Sequence, residues 1–148
     1  MNDTVERRVE LTLPMIPDIE ITAVKAAGDL ARELGMNGNA IDEMSHAIIE
    51  ACINAREHAC CADQRIYLTF LGSTTDGDGT RMEIWITDHG QGFDPEKARA
   101  HEHHAAGAPQ KRGWGLRIIE AHMDEVEIVS GGGGTTIHMV KYGERTSI

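Results

Sequence analysis

The run AIIEACINAREHA sets Glu50, Asn54 and His58 four residues apart, so on a helix a carboxylate, an amide and an imidazole share one stripe. That set matches a definite chemistry. The carboxylate would act as a general base, the amide oxygen as a ligand for a hard cation such as Mg²⁺, and the imidazole as a supporting polar group. Taken alone, the same spacing also describes a solvated helix face.

Two further groups invite a ligand. Asp88-His89-Gly90-Gln91-Gly92 closes a segment that otherwise reads Ile84-Trp85-Ile86-Thr87. A carboxylate at a strand end can accept a hydrogen bond from a base amino group, and glycines beside it let the backbone approach a flat ring. A plain turn has the same composition. Farther on, Lys111-Arg112-Gly113-Trp114-Gly115 precedes the helical pattern LRIIEAHM. Free amides at a helix N-terminus, with the helix dipole and adjacent cations, form an anion site suited to phosphates. No Gly-Lys-Ser/Thr follows, so this is not a P-loop.

The elements that must position these groups are legible in the periodicity. Arg8 to Leu13 alternates polar and apolar residues and runs into Pro14, which predicts a half-buried edge strand. A helix is expected from about Ile19 to Leu34, with Ile21, Val24, Ala27, Leu30, Ala31 and Leu34 inward and Gly35 as its C-cap. A second helix, about Ala40 to Ala59, has Ile41, Met44, Ile48, Cys52 and Ala55 on its core face and Asn39 as N-cap. RIYLTFLG and RMEIWITD then form a hairpin through STTDGDGT.

The segment from about 93 to 114 is too long for an ordinary connection and reads as a lid, with a short helical piece near Glu96 to Ala100. A helix from Gly115 to His122, a strand from Glu125 to Ser130, the run GGGG and a strand from Thr135 to Lys141 complete the chain. The expected fold is an α/β (α+β) two-layer sandwich: a mixed, mainly antiparallel sheet with helices on one face.

A length of 148 residues fits one domain, 1–148. A hydrophobic fraction of 41%, no long apolar run and no apolar leader after MNDTVERRVE predict a cytoplasmic protein without a membrane span. The net charge of −10 argues against nucleic acid as a partner. Cys52, Cys60 and Cys61 fit neither a disulfide framework nor a zinc knuckle and read as reduced, packed thiols. His101, Glu102, His103 and His104 crowd imidazoles beside a carboxylate, but adjacent ligands on a loop favour a solvated lid over a closed metal site.

In order and spacing, the three ligand-binding groups resemble the N, G1 and G2 boxes of the Bergerat-fold (GHKL, histidine-kinase-like) ATPase superfamily. The single short domain and the run from Glu50 to Ala59 are most similar to the anti-sigma-factor serine/threonine kinases of bacterial partner-switching systems. VELTLP, Met123-Asp124-Glu125-Val126 and Gly134-Thr135-Thr136-Ile137 extend the likeness over essentially the whole chain.

The resemblance implies ATP and Mg²⁺ as cofactors. Asn54 would hold Mg²⁺, with His58 beside it, and Glu50 would take the proton from an attacking serine hydroxyl. Asp88 would read the adenine amino group with Thr135 in support, and Gly90 and Gly92 would line the base pocket. Gly113, Gly115 and Leu116 would meet the phosphates. Arg112, or Lys111, would neutralise charge on the transferred group.

Implied partners are a STAS-domain antagonist protein, a sigma factor contacting the surface near Lys25, and a second copy of the chain. Lys25 departs from the arginine common there in the family, which keeps charge but loses bidentate geometry. Trp114 is larger than the family pattern leads one to expect. A competing reading is an ATP-binding module without kinase activity that switches a phosphatase or another regulator by contact; it would not need Glu50. A sensor histidine kinase would need a phosphoacceptor hairpin, and His46 lies in the wrong place for one. A gyrase-type ATPase would need a transducer domain.

Overall fold

The computed structural model describes residues 4–58, 63–77, 79–92, 94–96 and 115–144. In chain order the elements are β1 (Thr4–Pro14), α1 (Ile19–Glu33), α2 (Gly38–His58), β2 (Arg65–Thr75), β3 (Gly79–Asp88), α3 (Gly115–His122), β4 (Glu125–Gly131) and β5 (Gly134–Gly143). The strands form one five-stranded sheet in the order β1-β2-β3-β5-β4.

Among the described residues every strand pairing is antiparallel, in line with the mainly antiparallel sheet expected. The reason is local: β2 meets β3 and β4 meets β5 through tight hairpins, which can join only antiparallel neighbours. β3 and β5 also pair antiparallel, with α3 and β4 between them in the chain.

β2 and β3 are buried at every second residue, as expected for a sheet with one covered face. Ile66, Leu68 and Phe70 on β2 and Met82, Ile84 and Ile86 on β3 turn toward the helices. They meet Ala27, Leu30 and Leu34 of the α1 segment, Met44, Ile48 and Cys52 of α2, and Leu116 and Ile119 of α3 in one core. Gly72 belongs to this contact: an added Cβ would strike Leu34 and stand 2.9 Å from Met82 Sδ, so its absence lets α1 settle on the sheet.

Several expected boundaries move. β1 begins at Thr4 rather than Arg8, because its pairing with β2 continues to Thr4↔Thr75. The stretch STTDGDGT is mostly strand, since the β2–β3 ladder runs on through Ser73↔Arg81 and Thr75↔Gly79; Gly77 and Gly79 take the positive φ of the turn. Asn39 lies inside α2, where its Nδ2 donates to Glu43 Oε1 at 3.3 Å. Asn37 occupies the cap position instead: its carbonyl accepts from Ile41 N at 3.1 Å, and its Oδ1 accepts from Glu144 N at 2.9 Å.

Ile21, placed inward by periodicity, is 65% exposed, and Ala23 is buried in its stead. Val24 is partly buried, and Gly35 takes the left-handed conformation at the end of α1, φ 84°. Among the described residues no helix is long and apolar enough to cross a membrane.

Candidate active site

α2 carries the first group. Its inner stripe, Met44, Ile48, Ala51, Cys52 and Ala55, packs in the core, so the adjoining stripe of Glu50 and Asn54 lies at the edge of the helix layer. α3 runs beside it and covers Asn54, which is 4% exposed. The contact is close because α3 begins with glycine: a Cβ on Gly115 would lie 3.1 Å from both Nδ2 and Oδ1 of Asn54. Asn54 Nδ2 has no hydrogen-bond partner among the described residues. A buried amide N–H left so carries a desolvation cost of roughly 1–3 kcal/mol that an acceptor atom of a ligand could relieve.

Glu50 stands one turn before Asn54 and is half-buried. Burial pushes its carboxyl above the usual carboxylate range, the neighbouring Glu57 raises it further, and His46 partly offsets both. That is the direction in which an ionisable group is tuned toward proton transfer near neutral pH. His58 ends α2, and its side chain lies outside the described residues.

The second group sits where β3 ends. Asp88 is buried, and its Oδ1 accepts from Gly90 N at 2.9 Å, which pulls the following loop into a tight turn. Opposite Asp88 in the ladder is Thr135, also buried, whose Oγ1 shares a 2.6 Å hydrogen bond with Ser130 Oγ. Two glycines make the approach possible. Gly134 has φ 126°, and a Cβ there would collide with the Asp88 carbonyl oxygen; Gly92 has φ 78°, and a Cβ there would collide with the Gly131 carbonyl oxygen.

The β4–β5 hairpin is thus clamped backbone to backbone on the loop after Asp88. An open cleft of about 470 Å³ beside this contact is lined by residues 130–132 of its tip and by Gln91, Gly92, Asp94 and Pro95. Gly134 and Ser130 were not singled out as site residues. The run GGGG reads as a turn, and only the register of β5 on β3 brings it against Asp88.

His89, between Asp88 and Gly90, turns away to the outer side. Its Nδ1 lies 2.8 Å from Asp63 Oδ2, and its ring packs on Tyr67 with centroids 4.7 Å apart. Tyr67 donates to the same Asp63 oxygen at 2.7 Å. The Tyr67 hydrogen bond first, then that of His89, holds the Asp63 carboxyl below its ordinary range.

Of the third group, Gly115 and Leu116 open α3 and are buried. The Leu116 side chain belongs to the core, which leaves only its backbone for a ligand. Lys111, Arg112, Gly113 and Trp114 lie outside the described residues, as do most of the expected lid, the cluster His101 to His104, and Cys60 and Cys61. Pro95 and Glu96 are helical, with Asp94 Oδ1 accepting from Glu96 N at 3.0 Å, and the rest of the helical piece expected to Ala100 lies outside the described residues. Cys52 is packed, and burial pushes its thiol up to about 12.

Residues 17–141 match the family model of the histidine kinase-like ATPase domain. The serine-protein kinase RsbW of Oceanobacillus iheyensis is 30% identical over 142 residues, covering 90% of this chain and 85% of that relative. The enzyme of the same name from Bacillus subtilis is 28% identical over 145 residues, covering 93% of this chain and 88% of that relative. Among solved structures, the RsbU and RsbW domains of Rv1364c from Mycobacterium tuberculosis superpose with a TM-score of 0.66 at 24% identity, over 96% of this chain and 34% of that one. This last likeness is one of fold.

Proposed function

We propose, from the premise that the chain belongs to the histidine kinase-like ATPase domain family and to its serine-protein kinases, that it transfers the γ-phosphoryl group of ATP to a serine of a STAS-domain antagonist protein. In its alternative complex it would sequester a sigma factor, as an anti-sigma factor of a partner-switching system. The observation that carries the transfer reading is the pairing, on one stripe of α2, of the raised Glu50 carboxyl with the buried Asn54 side chain, whose Nδ2 lacks a partner among the described residues.

In the proposed step the serine oxygen bonds to the γ-phosphorus as the bond from that phosphorus to the bridging oxygen of ADP breaks. Glu50 takes the hydroxyl proton. Asn54 would offer its amide oxygen to Mg²⁺, the donor type a hard cation takes, while its unpartnered Nδ2 could donate to a phosphate oxygen; the ion would supply charge neutralisation on the phosphates. Asp88 would accept from the adenine amino group, with Thr135 in support and Gly90 and Gly92 against the ring. Gly115 and Leu116 would offer helix-terminal amides to the phosphates. His58 would support the metal side, the segment 93–114 would act as lid, and Gly113 with Arg112 or Lys111 would serve the transferred group.

For the sigma factor, the exposed side of α1 is the proposed contact. Lys25 stands there one turn after the exposed Ile21 and pairs with Asp29 at 3.3 Å. A homodimer in the cytoplasm completes the proposal, on the strength of the family resemblance.

The test is incubation with Mg·ATP and the STAS protein encoded nearest to this chain, followed by mass spectrometry for phosphoserine. A modified serine is expected. No modification of any STAS partner, with ATP still bound, would overturn the kinase assignment. Asp88→Asn is expected to raise the ATP Kd by about tenfold or more, as loss of a buried acceptor does.

A further inference from the structure

Along β5 the residues facing the helices are Thr135, Ile137 and Met139, and the next in that alternation is Lys141. An ammonium group in a core-facing position loses its hydration and persists only where partners replace the water. The Lys141 side chain is 8% exposed. Its Nζ donates to the His122 carbonyl oxygen at 2.6 Å and to Glu43 Oε2 at 3.2 Å. Asp124 Oδ2 lies 4.0 Å away.

These partners belong to the end of α3, the N-terminal part of α2 and the turn into β4. One side chain thus ties the C-terminal end of α3 to its neighbouring helix and to the sheet beneath. The last carbonyls of a helix lack intrahelical partners and form the negative end of its dipole, where a cation is favourable. In α3 the Ile118 oxygen accepts from the His122 ring at 2.8 Å, the Ile119 oxygen accepts from Met123 N at 3.0 Å, and Lys141 takes the His122 oxygen.

α3 has only eight residues, a length at which a helix depends on tertiary contacts to hold its place. It spans about 12 Å, and its other end is Gly115 against Asn54. A shift along its axis at His122 is therefore a shift at Gly115. An apolar residue could fill the position of Lys141, and a buried, paired charge is not in itself a gain in stability. What the ammonium adds is a directed tie to one carbonyl.

We propose that Lys141 is a positioning residue for the nucleotide site, fixing α3 along its axis and so setting where the Gly115 and Leu116 amides meet the phosphates. The inference rests on the phosphate-binding role proposed above for those two residues.

The experiment compares Lys141→Met, Lys141→Arg, Glu43→Gln and Asp88→Asn in the full chain. It measures the ATP Kd by calorimetry, phosphoryl-transfer kinetics, and amide hydrogen exchange. Lys141→Met is expected to raise the ATP Kd about fivefold to tenfold, with kcat at saturating ATP within about twofold. Exchange should quicken in α3 and stay unchanged in β2 and β3. Lys141→Arg, which keeps a donor to the carbonyl, should recover most of the affinity, and Glu43→Gln should give a smaller loss.

A folded Lys141→Met variant with unchanged ATP affinity overturns the proposal, whatever its exchange. If Lys141→Met does not fold, Glu43→Gln with unchanged affinity and unchanged α3 exchange overturns it instead. Asp88→Asn separates the premise from the inference. Unchanged ATP binding in that variant removes the nucleotide site itself, whereas weakened binding there beside an unaffected Lys141→Met removes only the role of Lys141.

Discussion

At the Asp88 end of the site backbone packs on backbone, with Gly134 against the Asp88 carbonyl, Gly92 against that of Gly131, and the Asp88 carboxylate bound to Gly90 N. At the Asn54 end side chains line a helix edge, one buried amide nitrogen lacks a partner among the described residues, and the Glu50 carboxyl is half-buried and raised. The first end is a finished mould whose shape exists before any ligand arrives. The second holds an amide nitrogen without a partner among the described residues and a carboxyl whose charged form burial disfavours. In the function proposed above, the base would lie against the mould and transfer would take place at the end that holds the less satisfied polar groups.

The largest expected effect breaks the comparison at the Asn54 end. Glu50→Gln should lower kcat for phosphoryl transfer about a thousandfold while leaving the ATP Kd within about twofold. The same variant tests the stored cost. A carboxyl whose folded pKa lies above its unfolded value favours folding at low pH, and that contribution is lost as pH rises through the folded pKa. Glu50→Gln should therefore be more stable than the parent protein near about pH 8 and lose that advantage near about pH 4, as followed by denaturant midpoints. Equal stability at both would show that this end carries no such cost.

A smaller but still large effect is expected at the mould. Gly134→Ala puts a Cβ on the Asp88 carbonyl at φ 126°, and the added strain and overlap should destabilise the fold by about 3 kcal/mol. Urea denaturation measures it. A loss below about 1 kcal/mol would mean that the hairpin gives way and that the end is no rigid mould.

The smallest effect marks the boundary of the mould. Gly132, at the hairpin tip, has no positive φ and nothing within 4 Å of an added Cβ. Gly132→Ala should stabilise by about 0.5 kcal/mol through the unfolded chain. Unchanged ATP affinity would end the mould at Gly131, and weakened affinity would extend it to the tip.

Read alone, the sequence determined the order of elements, the buried stripe of α2, the limits of α3 and the motifs that carry the family likeness, because these depend on patterns within one segment. It misjudged Ile21 and the cap of α2, where neighbouring elements decide between two stripes or two asparagines. Tertiary structure alone showed that Asn54 is not on a solvated face, since α3 is laid across it and leaves it 4% exposed. The antiparallel register that sets Thr135 and Gly134 on Asp88, the Asp63–His89 contact and the partners of Lys141 were decided there too. Each joins residues distant in the chain, and a single sequence carries no term for distances that only packing creates.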